Sequence, residues 1–257
     1  MFLRTWEPLF APRDLVQGSL LVVAPHPDDE VIGAGGLILA HRDADAPVHV
    51  TVMTDGRLGD FDGRHGEGYV ERRREECRAA AIALGGAETE FLDFPDGGLV
   101  AAMGEGDPPA PVAALAARIA GMRPATLAFP SPWELHPDHR AAALAALAAA
   151  RVAGHAGRLL AYEVGTFMPS NLLIDTTHLF ARKIEALRCY ASQLEHHDLV
   201  AKLTGVDVAR TANVDDPAVT RAEAYLRVDP AEIETFLAAV ESAARITDRM
   251  APGIPYA

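Results

Sequence analysis

Short apolar runs alternating with alanine-rich helical stretches predict an α/β fold: a single-domain, Rossmann-like, mostly parallel sheet with helices on both faces. Three observations carry that expectation. The runs at 19–24, 48–54 and 125–130 have the length and apolar content of buried strands. The stretches between them have the composition of soluble helices, which parallel strands need as crossovers. Two polar clusters rich in histidine and acid follow two of the runs, and open α/β sheets place their ligands beyond the carboxyl ends of strands.

The 257 residues, 49% of them apolar, can bury a full core in one large domain spanning 1–257, with the core over about 19–228 and a packing helix over about 229–249. Thirty-six acids against 23 Lys and Arg leave a formal charge of −13, which argues against nucleic acid as a partner. Cys77 and Cys189 form no CxxC pair, so neither a thiolate zinc site nor a disulfide framework is expected; this is compatible with a reducing cytoplasm. Residues 1–18 carry Arg4, Glu7, Arg13 and Asp14 among prolines and lack the apolar core of a signal peptide. No run is long enough for a membrane span, and the mostly alanine stretch 141–150 reads as a soluble helix.

In chain order, 19–24 is a strand bounded by Gly18 and Pro25, and a helix follows over about 29–41. Gly33, Gly35 and Gly36 weaken that helix intrinsically and point to close packing on the sheet. The β-branched run 48–54 is the second strand, and it ends at Thr54-Asp55-Gly56-Arg57 on the same rim as the first cluster. Residues 58–68, with four glycines among charged side chains, form a lid or a plain surface loop. The helix over 69–84 starts with Arg72, Arg73, Arg74, Glu75 and Glu76 and stops at Gly85-Gly86. The third strand, 89–94, delivers Asp96 to the rim, where it accepts hydrogen bonds from sugar hydroxyls or builds a turn before glycine. A helix over 110–122 leads into the strand 125–130. A strand over 158–164, a last strand over 171–175 at the sheet edge, and a final helix capped by Asp229 with Pro230 in its first turn complete the chain.

The first cluster is His26-Pro27-Asp28-Asp29-Glu30, and its charge is expensive unless something binds there. A divalent metal is the cheapest occupant, because imidazole nitrogen with carboxylate oxygen suits Zn²⁺ or Fe²⁺. The second cluster, His136-Pro137-Asp138-His139, places its two histidines three apart on one helical face. Asp138 lies off that face and holds a neighbour or caps the helix. Two histidines and a carboxylate from the two clusters make an open, catalytic type of site, and the remaining acid and histidine are free for proton chemistry. Spacing alone leaves open which of Asp28 and Asp29 is the ligand.

These two motifs resemble the signatures of the LmbE-like (PIG-L type) metal-dependent deacetylases, which remove acyl groups from N-acetylglucosamine conjugates and related amines. The resemblance spans about 19–228 and includes Tyr162-Glu163, Asp175, Lys183, Tyr190, Ser192-Gln193 and Ala222-Glu223-Ala224-Tyr225. It implies that His26, Asp29 and His139 bind the metal, zinc or Fe²⁺, that Asp28 is the general base, and that His136 supports the oxyanion. Arg57, Arg74 and Asp96 are the substrate contacts it implies, and an amino-sugar conjugate is the expected substrate. Glu134 departs from the pattern, because some relatives carry at this place a tyrosine thought to assist the reaction. His196-His197, after Ser192-Gln193, offers an approach to a neighbouring subunit of a homo-oligomer.

Two other readings use the same residues. A facial-triad Fe²⁺ oxygenase also needs two histidines and a carboxylate, but its usual spacing belongs to all-β barrels. A Rossmann-like binding module would need a glycine-rich phosphate loop, and Gly33-Ala34-Gly35-Gly36 is not one.

Overall fold

The structure is a computed structural model and describes residues 9–10 and 13–250. Most of the N-terminal stretch 1–18 therefore lies outside the described residues. Strand β1 (Leu9–Phe10) and β2 (Leu20–Ala24) are followed by helix α1 (Asp29–Asp43), β3 (Val48–Thr54), α2 (Tyr69–Ala83) and β4 (Glu88–Phe94). Then come α3 (Leu99–Met103), α4 (Ala110–Met122), β5 (Thr126–Pro130), α5 (Pro137–Val152), β6 (Arg158–Tyr162) and β7 (Leu172–Asp175). The chain closes with α6 (Phe180–Arg188), α7 (Ala191–Leu194), α8 (Leu199–Ala209), β8 (Ala222–Val228) and α9 (Ile233–Met250).

The strands form one eight-stranded sheet in the order β1-β7-β8-β6-β5-β2-β3-β4. Every pairing is parallel except those of β8, which runs against both β6 and β7. From β2 the chain builds outward through β3 and β4, then returns to add β5 on the other side of β2. The gap between β2 and β5 is thus the point at which strand order reverses, where α/β sheets open a crevice. Both histidine clusters follow these two strands.

All five residues of β2 and of β5 are buried, as strands covered on both faces must be. Alternate residues feed two cores. Leu20, Val22 and Ala24 pack with α1, α2 and α6, while Leu21, Val23, Leu127 and Phe129 pack with α4 and α5. The alanines of α5, Ala142 to Ala150 among them, are small enough to let that helix lie close on the sheet.

Close approach also explains the glycines of α1. A Cβ on Gly33 would stand 2.1 Å from the ring of Tyr162, and one on Gly36 would stand 2.3 Å from Thr176 Cγ2. The space is taken by a buried polar brace, in which Glu223 accepts from Gly36 N at 2.6 Å and Leu37 N at 3.0 Å. Glu223 also pairs with the fully buried Lys183 at 2.7 Å, and Lys183 pairs with Asp207 at 3.1 Å. The brace ties α6, α8 and β8 to the helix that carries the first cluster.

Three details differ from the sequence expectation. Strand β7 is not the sheet edge, because β1 pairs outside it. Segment 222–228, valued only for its resemblance, is a strand inserted antiparallel between two others. The final helix starts later than Asp229: that residue caps a short 3₁₀ turn over Pro230–Glu232, accepting from Ala231 N, before α9 begins.

Candidate metal centre and active site

The segment from β2 to α1 sets the first motif. Asp28, immediately before α1, has φ 127°, a conformation that side chains rarely tolerate and that surrounding contacts must hold in place. Those contacts are present. Asp28 N donates to Glu30 Oε2 at 3.1 Å, Arg73 Nη2 lies 3.2 Å from Asp28 Oδ2, and the same nitrogen donates to the Pro27 carbonyl. Glu30 in turn accepts the hydroxyl proton of the buried Tyr190.

Three donor atoms converge beside this turn. His26 Nδ1 lies 3.2 Å from Asp29 Oδ2 and 3.2 Å from His139 Nε2, and His139 Nε2 lies 3.3 Å from Asp29 Oδ2. A tetrahedral ion with bonds of about 2.0–2.1 Å needs ligand separations of about 3.3–3.4 Å. The residues present therefore fit a divalent metal in distance and in chemistry. The local field points the same way. Burial opposes a charged His26 ring, yet its contacts with Asp138, Asp29 and Asp96 raise its pKa well above the usual 6.5. Burial likewise opposes charge on His139, but Asp29 lifts it to about 9. Burial should raise the Asp29 carboxyl, yet His139 and His26 hold it far below the usual range. The site favours positive charge at its centre, which a metal ion supplies.

His26 is backed by two carboxylates. Its Nε2 lies 3.0 Å from Asp96 Oδ1 and 3.5 Å from Asp138 Oδ2. Asp138 is itself fixed by Gly97 N at 2.7 Å and Leu99 N at 3.1 Å, and Asp96 Oδ2 accepts from Leu58 N at 3.0 Å. Such outer carboxylates turn a ligand ring toward its metal. Asp138 holds a neighbour, as its helical phase implied.

His136 is exposed at the N-cap of α5 and stands edge-on to His26, their ring centroids 4.7 Å apart. Its Nδ1 accepts from Asp138 N at 3.2 Å, so the ring proton belongs on Nε2. Partial desolvation of the ring and the charges of His26 and His139 lower its pKa below the usual 6.5. Burial pushes the Asp28 carboxyl up, Arg73 pulls it down and Asp29 pushes it up again, to about 6.

A cavity of about 320 Å³ opens here, lined by His26, Asp28, Asp96 and His136 with Leu58, Gly59, Phe61, Arg73 and Gln193. The segment 58–68 is thus a wall of the site, held by Asp60, which accepts from His65 N and Gly66 N, and by Gln193, which donates to Gly59 O. Arg57 and Arg74 do not line the cavity. Arg57 is exposed and donates through Nε to Asp55 at 2.7 Å, and Arg74 pairs with Glu71 and Asp93. The cavity instead receives Arg73, 2% exposed, with Nε and Nη1 free of hydrogen-bond partners. Helical phase carried that signal: Tyr69, Arg73, Glu76, Cys77 and Ala80 form one buried face of α2, and Arg74 is off it. Glu134, 2% exposed and unassigned by the motif, lies 3.7 Å from His139 Nδ1.

Residues 21–150 match the family described as PIG-L, GlcNAc-PI de-N-acetylase. The chain belongs to the PIG-L family. Both motifs lie inside the matched segment. A diacetylchitobiose deacetylase of Thermococcus kodakarensis is 31% identical over 197 residues, covering 68% of this chain and 70% of the relative. An N,N'-diacetylchitobiose deacetylase from Pyrococcus horikoshii superposes with TM-score 0.70 at 23% identity, over 83% of this chain and 85% of the other, and so shows the shared fold. A 4-carboxy-2-hydroxymuconate hydratase from Pseudomonas putida superposes with TM-score 0.69 at 26% identity, over 83% and 97% of the two chains. The oxygenase and binding-module readings are not favoured by membership of this family and its deacetylase relative, and the mostly parallel sheet is unlike the all-β barrel of the oxygenase.

Proposed function

We propose that the protein is a metal-dependent N-deacetylase that hydrolyses the acetamide of an N-acetylglucosamine-type conjugate or a related amine, releasing acetate and a free amine. One observation carries the reading. His26 Nδ1, Asp29 Oδ2 and His139 Nε2 meet within 3.2–3.3 Å of one another, with Asp28 and His136 on the wall of the adjoining cavity. Membership of a family with a deacetylase relative at 31% identity supports it.

His26, Asp29 and His139 would hold the ion, and the nitrogen-rich set suits Zn²⁺, with Fe²⁺ the alternative. A divalent ion bound there polarises a carbonyl and lets a water lose its proton near neutral pH. Asp28, with a pKa of about 6 and anchored by Arg73, takes the water proton and passes it to the departing amine nitrogen. His136 donates Nε2–H to the developing oxyanion, a contribution of about 3–4 kcal/mol for a single donor. Arg73, Asp96 and Gln193 line the part of the cavity that would take the sugar hydroxyls, and Leu58 and Phe61 supply its apolar wall. Arg57 and Arg74 would touch only parts of a conjugate that extend beyond the cavity.

A hydratase reading has the Pseudomonas neighbour in its favour. The lining argues against it, because a polycarboxylate would meet Asp28 and Asp96 with Arg73 as the one permanent cation among the lining residues. Incubating zinc-loaded protein with N-acetylated amino sugars and their conjugates separates the two. Loss of an acetyl group from the sugar, with acetate released, is expected; inertness toward all amides with water added to an unsaturated acid would replace the reading.

We place the whole chain, 1–257, in one Rossmann-like domain with its core over about 19–228 and a packing helix over 229–249. Among the described residues no helix is long and apolar enough to cross a membrane. The acidic balance makes nucleic acid an improbable partner by charge repulsion. A cytoplasmic location fits the two free cysteines, and a homo-oligomer built near His196-His197 fits their place at the loop over the cavity.

A further inference from the structure

We infer that Glu134 is a positioning residue of the metal centre, holding the His139 ring with Nε2 toward the ion while fixing the turn at 164–166 beside it. The inference rests on the reading of His26, Asp29 and His139 as ligands. Glu134 lies in the segment between β5 and α5 and is 2% exposed. Its Oε1 accepts from Val164 N at 2.8 Å and Thr166 N at 3.3 Å, and its Oε2 accepts from Gly165 N at 3.0 Å. Oε2 also faces His139 Nδ1 across 3.7 Å.

A histidine that binds metal through Nε2 carries its proton on Nδ1, and that N–H needs an acceptor to set the ring's angle and basicity. His139 Nδ1 is buried and has no hydrogen-bond partner. The gap to Glu134 exceeds a hydrogen bond by about half an ångström, so a small ring rotation closes it. His26, the other ligand ring, has the same arrangement, with Asp96 and Asp138 behind its Nε2. Glu134 is not among the residues lining the cavity, and backbone amides occupy both its oxygens. It therefore acts through His139, and it does not replace a helper that touches substrate.

The test uses the full chain, labelled with ¹⁵N-histidine and loaded with zinc. A slowly exchanging Nδ1–H resonance is expected that disappears in His139→Gln. Chelator competition should show that Glu134→Gln binds zinc about 10- to 100-fold more weakly, with the resonance lost or shifted upfield. Unchanged zinc affinity and an unchanged resonance, with only a lower Tm, would reduce Glu134 to a turn anchor and overturn the inference. If Glu134→Gln does not fold, the wild type still decides: no protected His139 Nδ1–H overturns the inference, and a protected one with a cross-relaxation contact to Glu134 supports it. Zinc held by His139→Gln as tightly as by wild type would instead overturn the ligand reading, and this inference with it.

Discussion

Two adjacent acids meet different partners because the backbone turns between them. Asp29 opens α1 and points its Oδ2 at both His26 and His139, whereas Asp28, at φ 127°, faces Arg73 and the cavity. Asp29→Ala should therefore lose zinc, as measured by elemental analysis. Asp28→Asn should keep it and lose about 10²–10⁴ in kcat, the usual worth of a positioned base. The reverse pattern would mean that the carboxylates are exchanged. The neighbouring arginines differ in the same way. Arg73→Met leaves Asp28 buried without its cation, so a loss of about 3–5 kcal/mol in denaturant unfolding is expected. Arg74→Met removes only partly exposed pairs with Glu71 and Asp93 and should cost less than about 1 kcal/mol.

At the scale of the element, α1 is shaped by what it lies against. Gly33→Ala gains about 1 kcal/mol in helix propensity, but its methyl collides with Tyr162, and overpacking costs about 1–3 kcal/mol or more. A lower Tm is expected, and a higher one would refute the close-packing account. The last turn of α1 carries a pH dependence. His41 is fully buried, shares its Nδ1 with Leu37 O at 2.8 Å, and leaves Nε2 without a partner. Burial lowers its pKa below the usual 6.5, despite that bond. The unfolded chain then binds the proton more readily, so His41 contributes stability above pH 6.5 that is lost as pH falls through 6.5 toward the folded value. Melting curves between pH 7.5 and 5 should drop less steeply for His41→Gln than for wild type; parallel curves would remove His41 as the cause.

For the whole molecule, the strand-order reversal between β2 and β5 brings the two clusters together, so zinc should bind the folded chain and not the unfolded one. At free zinc 100-fold above Kd, mass action adds about 2.7 kcal/mol. For a domain of this size that is a Tm increase of roughly 5–10 °C, reversed by chelator. No shift would mean that no ion is held by the fold.

Some of this was written locally and could be read from the chain alone. Apolar runs predicted the main parallel strands, and the two clusters after 19–24 and 125–130 pointed to a site of two histidines and a carboxylate while leaving Asp28 and Asp29 undecided, because strand period and ligand chemistry are properties of short segments. Helix phase would also have chosen Arg73 over Arg74, though the charge run obscured it. Other features had no local signal. The antiparallel insertion of β8, the brace from Glu223 into α1, and the reach of Glu134 to both His139 and the 164–166 turn join segments far apart in sequence. Only the packed sheet decided them, because an isolated glutamate reads as surface until three backbone amides and the His139 imidazole are folded around it.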